Sequence, residues 1–257
     1  MEQPNGIILN SGPTGSGKST TLYAIMKKLN QPNVNIMTFE DPVEIVVDGL
    51  NQSQIFPEIG YTFAAGLRTA LRQDPDIMMV GEIRDQETAD IAIEASLTGH
   101  LVLSTIHTNS AAETLTRLIN LGVKTFLLPA TINAIISQRL VRKINPEKAK
   151  KMKFSDLDIN MQQRVKNVIA STSKEEIKAR LSDTIMKDPS FLVPDMTKVT
   201  DPDQAYSGRI ALYEVMEITG GIKDMILREA SAREIFGAAV RDGMISLEQD
   251  GIIRALQ

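Results

Sequence analysis

The sequence predicts an α/β fold, a largely parallel sheet with helices on both faces. Three observations carry that prediction. Up to Ile144, short apolar runs alternate with amphipathic stretches of helical spacing, the pattern of strand and helix units wound around one sheet. The run GIILN at 6–10 leads through GPTGSGKST at 12–20 into KSTTLYAIMKKL at 18–29, which reads as strand, glycine-rich turn and helix. Polar residues also follow each apolar run at once, where ligands gather at the carboxyl ends of parallel strands.

The elements follow in order. VNIMTF at 34–39 is the second strand and ends in Glu40-Asp41-Pro42. Residues 43–47 and 50–55 flank Asp48-Gly49, a two-residue signal that predicts a hairpin. A helix is expected over 62–73, closed by the Asp74-Pro75 break, and IMMV at 77–80 is a buried strand ending in Gly81-Glu82. Residues 86–97 read as a helix with Ala89, Ala92 and Ile93 on one face. LVLSTI at 101–106 is another buried strand, closed by His107-Thr108-Asn109, and helices are expected over 111–121 and 125–138, the second interrupted near Pro129.

From Asn145 the character changes. Residues 145–153 are lysine-rich and loop-like, and helices are expected near 161–169 and 174–186, the latter with a capping box of Ser173 and Glu176. Pro189, Pro194 and Pro202 break regular structure before RIALYEVM at 209–216 resumes as a strand, followed by helices near 222–228, 232–242 and 247–256. The expected organisation is a core over 1–144, a helical insert over 145–207, and a returning strand with a C-terminal helical subdomain over 208–257.

Composition narrows the functional classes. With 257 residues and 42% hydrophobic content the chain can bury a full core. No apolar run approaches the roughly 20 residues of a spanning helix, so no membrane insertion is expected. Zero cysteines exclude disulfides, thiolate metal sites and cysteine nucleophiles. A net charge of −4 provides no global basic field for nucleic acid, and 4% aromatic content disfavours base-stacking platforms, so no nucleic-acid partner is expected.

The chemistry concentrates at 12–20. Gly12, Pro13, Thr14, Gly15, Ser16, Gly17, Lys18, Ser19 and Thr20 match a phosphate loop, whose backbone N–H groups turn onto a phosphate at a helix N-terminus. Lys18 would meet the β and γ phosphates of ATP, and Ser19 would ligate Mg²⁺. Glu82 follows a buried strand and is the candidate to polarise the attacking water, directly or through the magnesium shell, with Glu40 assisting from the neighbouring strand. Gly81 stands where an aspartate is usual, which moves the acidic duty to Glu82. His107 is the candidate polar sensor beside the phosphate. His100 and His107 are the only histidines, and their spacing along one strand puts them on opposite faces, so they do not make a shared metal site. Arg68, Arg72, Arg84 and Arg117 are candidates to neutralise transition-state charge, each with a surface salt bridge as the simpler reading.

Beside an ATPase, three readings compete: a nucleotide-gated interaction module without useful turnover, a nucleic-acid translocase of the same core, and a small-molecule kinase. The translocase would use the basic run 139–143 with 148–153, which reads more simply as a solvated face, and no arginine-rich lid stands out for a kinase.

The blocks NGIILNSGPTGSGKSTTLYA, TFEDPVE, LRQDPDIMMVGEIRDQETADIAIEASLTGH and LVLSTIHTNSA, with QRLVRKI, SGRIALYEV and GMISLEQDGI downstream, resemble the ATPases of type II secretion and type IV pilus assembly. MVGEIRD followed by ASLTGHLVLST is similar to the extension and secretion branch. The resemblance implies a RecA-like P-loop NTPase core with nucleotide contacts over Gly12 to Thr20, catalytic glutamates at Glu40 and Glu82, and a histidine at His107. It implies a homohexamer in the full-length context, acting at the cytoplasmic face of the inner membrane on a membrane platform protein. Members of that branch commonly carry a four-cysteine zinc module where this chain has 145–207, so no zinc is expected. They also place a domain ahead of the phosphate-loop strand, and the expectation here is a minimal protein or a nucleotide core from a longer chain.

Overall fold

The computed structural model describes residues 4–173, 177, 179–182 and 189–256. In chain order the elements are β1 (Gly6–Ser11), α1 (Lys18–Leu29), β2 (Ile36–Glu40), β3 (Asn51–Gln54), α2 (Phe63–Ala70), β4 (Ile77–Val80), α3 (Gln86–Leu97), β5 (Leu101–Ile106), α4 (Ala111–Asn120), α5 (Leu128–Thr131) and β6 (Ile132–Ile144). There follow β7 (Ala149–Lys153), α6 (Ile159–Ser171), β8 (Ser190–Pro194), β9 (Tyr206–Glu217), α7 (Gly220–Leu227), α8 (Ala232–Arg241) and α9 (Leu247–Leu256). The chain forms two compact units, Met1–Gln138 with Val215–Met244, and Arg139–Glu214 with Ile245–Gln257. The boundaries at 138 and 214 fall inside β6 and β9 and that at 244 falls between α8 and α9, whereas the expected segments 1–144, 145–207 and 208–257 divide the chain at the end of β6 and near the start of β9.

Seven strands order as β3-β2-β4-β5-β1-β6-β9. β1 runs parallel to β5 and β6, β2 to β3 and β4, and β4 to β5. Successive residues of these strands feed opposite faces, as the two-residue period of a pleated sheet requires. Ile7, Leu9, Met78, Val80 and Val102 join one apolar cluster with side chains of α2, α3 and α4. Ile8, Ile77, Met79, Leu101 and Leu103 join the other, against Leu22, Tyr23 and Met26 of α1. Strands buried on both sides therefore read as continuous apolar runs, which is why β1, β4 and β5 stand out in the sequence.

Three expectations fail. The hairpin around Asp48-Gly49 does not form, because β3 pairs parallel to β2, from Met37↔Asn51 to Glu40↔Gln54. The turn itself is present, with Leu50 N–H donating to the Val47 carbonyl at 3.3 Å. A side chain replaces the missing strand partner: Gln52 accepts from Val47 N–H at 2.7 Å and donates to the Ile45 carbonyl at 2.9 Å. The helix expected over 125–138 stops at Thr131, and residues from Ile132 onward form β6, paired to β1 from Ile7↔Ile132 to Ser11↔Ser137. Ile132 and Ile135 are β-branched and buried in the core, a setting where strand packing outweighs helical spacing.

The third failure lies in the second unit. The expected loop over 145–153 contains β7, which pairs antiparallel to β8 from Ala149↔Pro194 to Lys153↔Ser190. Segment 145–207 is thus not purely helical, since it combines this two-stranded sheet with α6. Exposed Lys150, Lys151 and Lys153 give β7 the charged character of an edge strand, which hides it from a hydrophobicity reading. Glu176 and most of the helix expected over 174–186 lie outside the described residues, although Ile177, Ala179 and Arg180 are helical. This unit packs Ile177, Leu181, Ile253 and Leu256 into a small core with Ile169 and Phe191. Beside it, buried Asp250 pairs with Arg180 at 2.8 Å and Arg254 at 2.9 Å and accepts from Tyr213 N–H at 3.0 Å.

Candidate nucleotide site

The parallel neighbours β2, β4, β5 and β1 bring their carboxyl ends to one edge of the sheet, and the candidate residues follow those ends. After β1 the chain turns through 12–17 into α1, whose N-cap Gly17 provides no side-chain cap. Gly17 has no side chain to cover the start of α1, and a helix N-terminus is the place where backbone N–H groups and the helix dipole favour an anion. Gly12 has φ 147, and a Cβ there would stand 2.5 Å from the Gln138 carbonyl oxygen and 2.6 Å from Ser16 Oγ. Only glycine fits that approach of the loop to β6. Lys18 is buried, and its ammonium donates to the carbonyls of Gly12 at 2.9 Å and Pro13 at 3.0 Å. Ser16 Oγ is buried with no hydrogen-bond partner, while Ser19 and Thr20 are exposed.

The ends of β4 and β5 hold Glu82 and His107 together. Thr105 Oγ1 donates to the Gly81 carbonyl at 2.7 Å, and Ile83 N–H donates to the Thr105 carbonyl at 3.0 Å. On the other side Gly81 N–H donates to the Phe39 carbonyl at 2.7 Å, and a Cβ on Gly81 would stand 3.3 Å from that oxygen. A side chain at this position would stand tight against the end of β2. The Glu82 side chain is 14% exposed; its Oε1 lies 3.0 Å from His107 Nε2 and its Oε2 accepts from Arg84 Nε at 2.7 Å. His107 is 44% exposed. Of the four candidate arginines, Arg84 therefore touches the candidate catalytic acid, Arg68 pairs with Glu87 at 2.8 Å, and Arg72 and Arg117 are exposed. His100 stands at the opposite end of β5, with Nδ1 2.9 Å from the Ala95 carbonyl.

Glu40 ends β2 on the same edge, but its carboxylate is buried, 3% exposed, and bound on both oxygens. Oε2 accepts a short hydrogen bond from the Tyr23 hydroxyl; Oε1 accepts from Thr38 Oγ1 at 2.5 Å and Gln52 Nε2 at 3.1 Å. Burial, then the bond to Glu40, pushes the Tyr23 hydroxyl up to about 12. Glu40 thereby ties β2 to α1 and to β3.

Sequence reasoning missed Tyr23, Gln52 and Gln138 as partners of this edge. Tyr23 lies within the expected α1 and could have been flagged as a phenol one turn past the loop. Gln138 was hidden by the helix expected over its segment. Ser19 and Glu82, the expected Mg²⁺ ligands, are hard oxygen donors of the kind that ion takes beside phosphate and water, and both Glu82 oxygens are engaged by His107 and Arg84. Among the described residues no group of three or more His, Asp or Glu side chains clusters to hold a metal ion. No helix among them is long and apolar enough to cross a membrane.

A family model described as Type II/IV secretion system protein matches residues 1–257. The type IV pilus assembly ATPase PilB of Acinetobacter baylyi is 42% identical over 257 residues, covering 100% of this chain and 42% of that protein. The type II secretion system protein E of Xanthomonas campestris pv. campestris is also 42% identical over 257 residues, with the same two shares. Among solved structures, the ATPase DotB of Legionella pneumophila superposes with a TM-score of 0.64 at 28% identity, covering 98% of this chain and 56% of that one. The fold is accordingly the mixed α/β architecture of such P-loop ATPases. The chain spans about two fifths of the length of the curated relatives it matches.

Proposed function

Because the chain belongs to the type II/IV secretion system protein family, we propose that it is an ATP-hydrolysing motor domain powering type IV pilus extension or type II protein secretion. One observation carries this reading: the phosphate loop, Glu82 and His107 follow the adjacent strands β1, β4 and β5 along one sheet edge, with Glu82 gripped by His107 and Arg84. Phosphoryl transfer is mostly positioning and charge stabilisation, and these residues divide that work. The loop N–H groups and the start of α1 receive the phosphates, and Lys18 neutralises their oxygens. Glu82 orients the attacking water and takes its proton, while His107 and Arg84 hold the carboxylate in position. Ser19 and Glu82 would hold Mg²⁺, which supplies further charge neutralisation when bound. Glu40 supports the edge from β2 through Tyr23, Thr38 and Gln52. The names of the relatives support the assembly or secretion direction. On this reading the full-length protein is a homohexamer acting on a membrane platform protein from the cytoplasmic face of the inner membrane.

The test is steady-state hydrolysis of ATP with Mg²⁺ by the chain, Glu82→Gln and Lys18→Ala, with nucleotide titration and light scattering on the same samples. Glu82→Gln should keep nucleotide affinity and lose at least about a hundredfold in turnover, and Lys18→Ala should lose affinity, with removal of Mg²⁺ by EDTA abolishing turnover in all samples. Unchanged turnover in Glu82→Gln would overturn the assignment of Glu82. Tight nucleotide binding with no turnover in any sample would favour the nucleotide-gated module.

A further inference from the structure

We propose that Gln138 is a positioning residue that clamps both ends of the phosphate loop and sets nucleotide affinity without touching the nucleotide. The proposal rests on the nucleotide-binding reading above. Gln138 is 2% exposed and lies on β6, directly after Ser137, which pairs with Ser11 at the end of β1. Its Oε1 accepts from Thr21 Oγ1 at 2.8 Å, in the first turn of α1, and from Asn10 Nδ2 at 3.3 Å, on β1. Asn10 Nδ2 also reaches the Lys18 carbonyl at 3.3 Å. The Gln138 backbone oxygen meanwhile stands against Gly12, at the first bend of the loop. One residue of a neighbouring strand therefore touches the chain before the loop, the loop's first residue and the helix after it.

The chemistry requires an acceptor at this point. Asn10 and Thr21 both present buried or half-buried donors to Oε1, and an apolar side chain would leave both without that partner. The loop would then occupy its phosphate-receiving form for a smaller fraction of the time, and apparent affinity falls by that fraction. A clamp of this kind acts before chemistry, so ATP and ADP should weaken by the same factor.

The experiment titrates fluorescent ATP and ADP analogues into the chain, Gln138→Met, Gln138→Glu, Thr21→Val and the Gln138→Met/Thr21→Val pair, with amide hydrogen exchange over residues 12–18 without nucleotide. Gln138→Met, which conserves volume and removes the acceptor, should weaken both nucleotides about tenfold. Gln138→Glu keeps an acceptor at the same reach but sets a negative charge beneath the phosphates, so it is judged by exchange without nucleotide, which should stay within about threefold of the original chain. Thr21→Val should weaken binding by about three- to fivefold, and the pair should be no weaker than Gln138→Met alone, because both act through one contact. Equal affinity in Gln138→Met, loop exchange in Gln138→Glu as fast as in Gln138→Met, or additive losses in the pair would overturn the proposal. Should Gln138→Met not fold, Thr21→Val decides, and unchanged affinity there overturns it. If the original chain binds no nucleotide, the nucleotide reading fails by itself. Exchange then judges the clamp, since the loop amides should exchange about tenfold faster in Gln138→Met or Thr21→Val, and unchanged rates overturn it.

Discussion

Glu40 and Glu82 look alike in the sequence, each an acid just after a buried strand, yet their surroundings give them different work. Glu82 shares its two oxygens between Arg84 and the half-exposed His107, whereas Glu40 is sealed beneath Tyr23, Thr38 and Gln52. The Tyr23 hydroxyl reports on this difference. Burial disfavours its phenolate, and the hydrogen bond to the Glu40 carboxylate holds its proton further, so its folded value is raised from 10.0 to about 12. A raised folded value for an acid means that the unfolded chain releases this proton first. Its contribution to stability is therefore fully present below about pH 10 and is lost as pH rises from 10 toward 12. In an alkaline absorbance titration of the four tyrosines, one should ionise late, and Tyr23→Phe should remove that late step. A titration in which Tyr23→Phe removes an ordinary step near 10 would contradict the buried Tyr23–Glu40 bond.

At the scale of elements, helices and central strands were legible where burial pattern and termini agree. The bounds of α1, β4, α3 and β5 match the expected 18–29, 77–80, 86–97 and 101–106. Asp85 caps α3 by accepting from Thr88 N–H, and Ser110 caps α4 by accepting from Glu113 N–H, so local chemistry sets where each helix starts. β3 lies within the expected 50–55 but with another partner than the hairpin implied, and β6 and β7 were not legible, because pairing with a strand distant in sequence decides them. Packing between elements also overrides propensity at Gly66, inside α2. Alanine there gains about 1 kcal/mol of helix propensity, but its Cβ would fall 2.5 Å from Cδ1 of the buried Phe39 ring. Overpacking a core typically costs about 1–3 kcal/mol, so Gly66→Ala should be destabilising overall by up to about 2 kcal/mol in urea unfolding. A stabilised variant would show that the ring yields and that helix propensity wins at this position.

At the scale of the whole molecule, the candidate nucleotide residues and Gln138 all belong to one compact unit, and the Asp250 cluster belongs to the other. Asp250 is 1% exposed and holds Arg180, Arg254 and the Tyr213 N–H. Removing a buried carboxylate strands its cations, so Asp250→Ala should destabilise the second unit by on the order of 3 kcal/mol. Faster hydrogen exchange in α6 and α9 would report that loss, while nucleotide affinity should change by less than about twofold. A large loss of nucleotide affinity in Asp250→Ala would show that the two units are energetically coupled.

The sequence by itself determined what local order can encode: the alternation of strand and helix, the phosphate loop between β1 and α1, and the polar residues that follow each central strand. These are readable because loop shape, helix start and strand burial depend on residues adjacent in the chain. Tertiary structure alone decided which strands pair and what each polar group meets. It made β3 parallel to β2, drew 132–138 into the sheet, enclosed Glu40 with Tyr23 and Gln52, and brought Gln138 against a loop more than a hundred residues away. The physical reason is that hydrogen-bond partners and desolvation are properties of a place in space, and contacts at long sequence separation leave no period or spacing in the chain for a reader to find.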